Sequence, residues 1–367
     1  MKVLITSPRA PISIEWIKIA IRSSYEVILV DSLDYPIGKF FDHHITYIKI
    51  PAPRLDFTGY CEQMKILLSQ VDLVIPNCED IFFLSKVREM CKTEALFLMP
   101  EHTLLLELHN KFLFQKYLNN YVKFPETVLI TDKKEIKEDT NTVLKPVFSR
   151  FGRNVIRGVT AEKIKDIVIN EEYPWVQQRY IQGKPLCNYA VCQNGKVISQ
   201  VVYLPKYLLN QSASTYFEYY EDRRINAFTT LFAEQTNYTG QIAFDFIDDG
   251  KDLYILECNP RATSGLHLIS ANINISMNRT LYSVGKIEKC AYRVGKTLFL
   301  FFALPALFKG KFKTLLNDYK QAKDVLAEVP ASAQLFSFYE MIKYMLKYKK
   351  SLTDATTFDI EYDGKYN

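Results

Sequence analysis

The 367-residue chain has no Cys-x-x-Cys pair, no zinc-ligand spacing, no block of one charge and no apolar run of membrane length. Its seven cysteines (Cys61, Cys78, Cys91, Cys187, Cys192, Cys258, Cys290) are scattered and odd in number. That argues against a disulfide framework and for reduced thiols, so a cytoplasmic location is expected. The opening "MKVLITSPRAPISIEW" breaks its apolar run after Ile5, short of the apolar centre of an export signal. The longest apolar run, "LFLFFALPALF", is interrupted by Pro305 and falls short of the ~20 residues a spanning helix requires. No transmembrane segment is expected. Lys and Arg (46) exceed Asp and Glu (41) by 5, without a continuous basic stripe, so nucleic acid is not an expected partner.

Glycine is missing where a dinucleotide site needs it. "KVLIT" reads as a buried strand and residues 14–22 as a helix, but the loop between them is "TSPRAP", which excludes the GxGxxG approach to a pyrophosphate. "EVILVDS" and "VDLVIPNCED" continue a strand-helix-strand rhythm, the mark of parallel β-α-β units with ligands at the carboxyl ends of the strands. A helical stretch, "EHTLLLELHNKFLFQKYLNN", leads into antiparallel strands. Among these, "QNGK" and "DDGK" are hairpin turns. Beyond Ala271 the pattern is mostly helical, ending in a polar "TTFDIEYDGKYN". The expected organisation is an α/β domain over 1–105, an α+β domain over 106–280 and a helical extension over 281–367, with no repeat or low-complexity linker.

Three stretches carry chemistry. In "LYILECNPRATSG", strand alternation puts Glu257 and Asn259 on one face and Cys258 on the other. Asp245, on the partner strand of the "DDGK" hairpin, completes an oxygen trio suited to a hard cation such as Mg²⁺. Pro260 ends the strand and aims Arg261, a good oxyanion partner, at whatever the metal holds. "VLKPVFSRFGRN" presents Lys145, then Ser149, Arg150, Gly152 and Arg153 in a basic loop of the kind that covers phosphates. "WVQQRYIQGKP" supplies an extended segment, Gln178, Arg179, Tyr180 and Ile181, able to hold an adenine.

In this order the three pieces resemble the ATP-grasp superfamily, and "ECNPRATSG" looks most like its carbamoyl-phosphate-synthase-like, carboxylate-amine ligase branch. The resemblance covers roughly residues 1–280. It implies a pre-ATP-grasp α/β domain followed by two α+β lobes that clamp ATP. It further implies Lys111 and Lys145 on the phosphates, Ser149 to Arg153 as a lid loop, and Gln178 to Ile181 on the adenine. Asp245, Glu257 and Asn259 would hold Mg²⁺ or Mn²⁺, with Arg261 and Lys145 catalytic. The implied reaction joins a small-molecule carboxylate to an amine through an acyl phosphate, in a chain that can form a homo-oligomer. Carbamoyl-phosphate-type synthesis from bicarbonate and a non-catalytic ATP sensor are the alternatives. "QGKPLCN" departs from the family by lacking the usual ribose-binding Glu after the hinge glycine.

The remaining stretches have plainer readings. "VGKT" mimics a P-loop, but the earlier glycine falls on Cys290. His43 and His44 form a lone pair expected to be structural. Glu79, in "NCED", either caps the following helix or contacts a substrate. Arg9, Arg223 and Arg224 are expected to be solvated surface cations, with contact to an anionic acid as the alternative. "KTLFLFFALPALFKGKFK" is expected to be a helix buried against the ATP-binding lobes or a partner subunit, with a membrane face as the alternative.

Overall fold

The computed structural model describes residues 1–149, 154–209 and 213–366. Its first part is a parallel sheet of β1 (Lys2–Thr6), β2 (Glu26–Asp31), β3 (Thr46–Lys49), β4 (Leu73–Ile75) and β5 (Leu96–Phe97), in the order β3-β2-β1-β4-β5. Val3, Leu4 and Ile5 are fully buried because helices cover both faces, as a parallel sheet requires. Helix α1 (Ser13–Arg22) buries Ile14, Trp16, Ile17, Ile19 and Ala20, more than one stripe, so it is sandwiched rather than laid on a surface. On the other face lie α2 (Phe57–Leu68), whose first turn is capped by Asp56 accepting from Gly59 N at 2.9 Å, and α3 (Ile81–Met90).

The expected helix over 101–120 is broken. Helix α4 (His102–His109) stops at Asn110, whose Oδ1 accepts from the amides of Phe112 and Leu113 and starts a separate 3₁₀ turn, Leu113–Tyr117. Lys111 sits in that corner. Next comes a small antiparallel sheet of β6 (Thr127–Ile130), β7 (Asp139–Pro146), β8 (Ile156–Val159) and β9 (Trp175–Arg179), ordered β6-β9-β7-β8, with the single-turn α5 (Ala161–Ile164). It has its own modest core of Ile130, Leu144, Val159 and Trp175.

The larger sheet contains β10 (Lys184–Gln193), β11 (Lys196–Leu209), β12 (Ala213–Tyr220), β13 (Gly240–Asp248) and β14 (Leu253–Asn259). The "QNGK" hairpin forms as expected, with Asn194 at φ 51° and Gly195 at φ 75°, the double left-handed turn that suits twisted strands. Helix α6 (Arg223–Thr236), capped by Asp222, and the short α7 (Leu266–Ile269) pack on this sheet.

The region expected to be mostly helical also contains strands. β15 (Ile273–Ile275) and β16 (Leu281–Ser283) pair with each other. β17 (Ala291–Arg293) and β18 (Lys323–Asp324) extend the larger sheet, whose order is β14-β13-β10-β11-β12-β17-β18. Between β17 and β18 lies a helical hairpin, α8 (Ala303–Phe308) and α9 (Phe312–Gln321). Helix α10 (Ala331–Tyr348) and the single turn α11 (Leu352–Ala355) follow. The polar tail is not a solvated end, because Asp359, Ile360, Glu361 and Tyr362 are buried and Tyr362 packs into the core of the first domain.

Candidate active site

The antiparallel register sets the centre of the site. Asp245 lies directly opposite Glu257, Ala243 opposite Asn259, and a bulge follows Asp245. Cys258 turns to the opposite face and packs with Phe244 and Ile255, as alternation requires. Asn259 Nδ2 donates to Asp245 Oδ2 at 3.2 Å, while its Oδ1 accepts from Arg261 at 3.2 Å. Burial and the facing Glu257 push the Asp245 carboxyl well above the usual carboxylate range. Burial works in the same direction on Glu257, but Lys111, Lys145 and Arg261 outweigh it and hold that carboxyl below the usual range. Two half-buried carboxylates opposed across a strand pair, with an amide beside them, form an all-oxygen set whose mutual repulsion a divalent cation would relieve, so these residues fit Mg²⁺ or Mn²⁺.

Two lysines reach the trio from different elements. Lys111 Nζ lies 3.7 Å from Glu257 and donates to Ser149 O at 2.7 Å. Lys145, on β7, donates to Leu256 O at 3.4 Å. Burial pushes the Lys145 ammonium down to about 8, with Lys111 adding to the effect and Glu257 opposing it. Arg261 comes from the turn after β14. Its Nε donates to Glu79 at 2.6 Å, and although burial works against the guanidinium's charge, Glu79 outweighs that and keeps it above its usual value.

These groups line one cavity of about 870 Å³, at the upper end of the range for ligand pockets. Gln178, Arg179, Tyr180 and Ile181 line it too, and Gln178 donates its amide N–H to Thr127 Oγ1 at 2.8 Å. Gly183, in the hinge between the sheets, is required by packing: a Cβ there would stand 2.3 Å from Asp248 O. Ser149 is on the wall as expected, whereas Arg150, Gly152 and Arg153 lie outside the described residues.

Several expectations change. Glu79 does not cap α3; it holds Arg261, tying the first domain to the turn after β14. Arg9 is not available to a substrate acid: Asp31, Ser32, Asp359 and Thr356 O take its donors. Arg224 is likewise bound to Asp222 and Asp248. His43 and His44 are exposed rather than packed, with Asp42 3.1 Å from His44 Nδ1. His109 carries no motif, yet it is buried against Phe82 and Phe148, 4.0 Å from Glu79, and burial pushes it down to about 4, so it is neutral at pH 7. Its place just before Lys111 is the only sequence cue.

A parallel domain is followed by two sheets that border one cleft lined by cationic and carboxylate side chains. Residues 108–265 match the family model of the ATP-grasp domain. Its fold is similar to that of N5-carboxyaminoimidazole synthetase from Staphylococcus aureus complexed with ADP, at 14% identity over 84% of this chain and 86% of that one, with a TM-score of 0.62. It is also similar to the biotin carboxylase domain of Hydrogenobacter thermophilus 2-oxoglutarate carboxylase, at 14% identity over 76% and 68% of the two chains, with a TM-score of 0.56. L-amino acid ligase from Bacillus licheniformis is a further similar structure, at 15% identity over 74% and 71%, with a TM-score of 0.55. No curated protein matches the sequence.

Proposed function

We propose that this protein is an ATP- and Mg²⁺-dependent carboxylate-amine ligase working through an acyl phosphate. The observation that carries the reading is the opposed pair Asp245 and Glu257, joined by Asn259 and faced by Lys111, Lys145 and Arg261 in one cleft. Asp245, Glu257 and Asn259 would hold the metal, which when bound neutralises phosphate oxygens. Lys111 and Lys145 hold the phosphates in line, and the segment from Gln178 to Ile181 receives the adenine. A substrate carboxylate oxygen attacks the γ-phosphorus, ADP leaves, and Arg261 stabilises the charge on the acyl phosphate. The amine nitrogen then attacks the carbonyl carbon. The C–O bond to phosphate breaks, the nitrogen loses a proton and an amide remains.

Ile12, Leu33, Ile37, Met341 and Tyr344 also line the cavity, and the substrate acid is assigned to that apolar part in this reading. With Arg9 already bound to its two aspartates, that part suits an apolar substituent better than a second acid group. Mg²⁺-dependent ADP release by the full chain against pools of acids and amines tests the ligase. Glu257→Gln is expected to lower the rate by roughly 10²–10³-fold, the loss typical of one charge-stabilising group. ATP binding without ADP release from any pool would instead favour a sensor.

A further inference from the structure

The helical hairpin of α8 and α9 contributes no residue to the lining of the cavity. Its sequence suggests burial against the ATP-binding lobes, but only one side is buried. On the inner side Leu298 and Leu315 are fully enclosed, Phe299 meets Tyr319 at 4.4 Å, and Phe302 meets Tyr207 at 5.5 Å. The outer side carries a second apolar row, Leu300 (68% exposed), Leu304 (64%), Leu307 (60%) and Phe308 (82%), at the spacing of one helical face. Pro305 lacks the N–H for the ordinary helical bond, and the wide π turn Leu298–Phe302 just before it absorbs the defect. Gly310, at φ +66°, then turns the chain into α9. The hairpin therefore has a finished interior and a second, uncovered apolar face.

The charges beside that face have one sign. No Asp or Glu occurs between Glu288 and Asp318, and Asp318 accepts from Tyr207 Oη at 2.8 Å on the inner side. Lys296, Lys309, Lys311, Lys313 and Lys320 are exposed, and none is in an ion pair among the described residues. We propose that this hairpin docks the protein on an anionic phospholipid surface, Leu300, Leu304, Leu307 and Phe308 entering the headgroup boundary and the lysines meeting the phosphates. No described helix is long and apolar enough to cross a membrane, so the attachment is peripheral. A symmetric contact with a second copy would bring the same acid-free, lysine-rich faces together, which like-charge repulsion opposes.

Flotation of the full chain with phosphatidylcholine vesicles, with and without phosphatidylglycerol, tests this. Binding is expected only to the phosphatidylglycerol vesicles and is expected to weaken with salt. Lys309→Gln with Lys311→Gln is expected to lower it roughly 25-fold, about fivefold per lysine. Phe308→Asp is expected to abolish it while ATP binding stays at the wild-type level. The proposal fails if the wild type does not float, if charge-free vesicles bind as well, or if the variants bind like wild type. It also fails if light scattering shows a dimer that Phe308→Asp dissociates, because the face would then be covered by a second copy.

Discussion

Arg9 is a surface cation in the sequence and a buried structural one in the fold. Its hydrogen bond to Asp359, at 2.5 Å, spans 350 positions. No local pattern announces a partner that distant. Glu257, Asn259 and Asp245 were legible for the opposite reason, since alternation along one strand and the register of one short hairpin fix their relative positions. The Arg9 cluster makes a prediction of its own. Burial works against the Asp359 carboxylate, but Arg9 and the Ser32 hydroxyl outweigh it and hold its pKa below the usual value. A depressed carboxylate stabilises fully above its unfolded pKa, about 3.9, and loses that contribution as pH falls through the folded value. Asp359→Asn should therefore cost about 3 kcal/mol at pH 7 in chemical denaturation. The gap between variant and wild type should close below about pH 4. A gap that persists unchanged at lower pH would show that the carboxylate's charge is not what holds the tail.

At the scale of elements, turns and alternation were readable and tertiary escape from pattern was not. "QNGK" and "DDGK" made the hairpins they advertise because their residues supply the required backbone conformations. The helix over 101–120 failed because Asn110 competes for the amides that would continue it. The short strands β15 to β18 carry no period long enough to read, and β17 takes its partners from β12 and β18, far along the chain. Gly265 shows how tightly the motif's last residue is held. It begins α7, and a Cβ there would lie 2.2 Å from the Cβ of Tyr189. Tyr189 is fully buried, and its hydroxyl donates to Gln241 at 2.6 Å, so it has no easy retreat. Gly265→Ala is expected to cost about 1–3 kcal/mol through overpacking, read as a lower denaturation midpoint at unchanged slope. Wild-type stability in that variant would mean that α7 can shift off the sheet without cost.

Over the whole molecule, the shift from parallel to antiparallel pattern near residue 105 marks a change of architecture rather than the edge of a folding unit. Val3, Ile5, Trp16 and Leu29 share one apolar cluster with Tyr189, Val201, Ala243 and Leu266. Polar links cross the same seam: Trp16 Nε1 to Gln241 at 2.8 Å, Gln241 Nε2 to Pro76 O at 2.6 Å, His267 to Glu15 at 2.9 Å, and Arg261 to Glu79 at 2.6 Å. The small sheet β6-β9-β7-β8 is the opposite case, with a core of its own. Residues 1–105 expressed alone would expose Trp16 and its neighbours on α1, strand the Glu15 carboxylate without His267, and lose the tail residue Tyr362. Burial of apolar surface is the dominant favourable term in folding, and an unpartnered buried charge is costly. The fragment is therefore expected to lack dispersed amide resonances and a cooperative thermal transition, while the full chain shows both. A sharply melting 1–105 fragment would mean that the first sheet closes its own core and that the contacts across the seam are docking rather than folding.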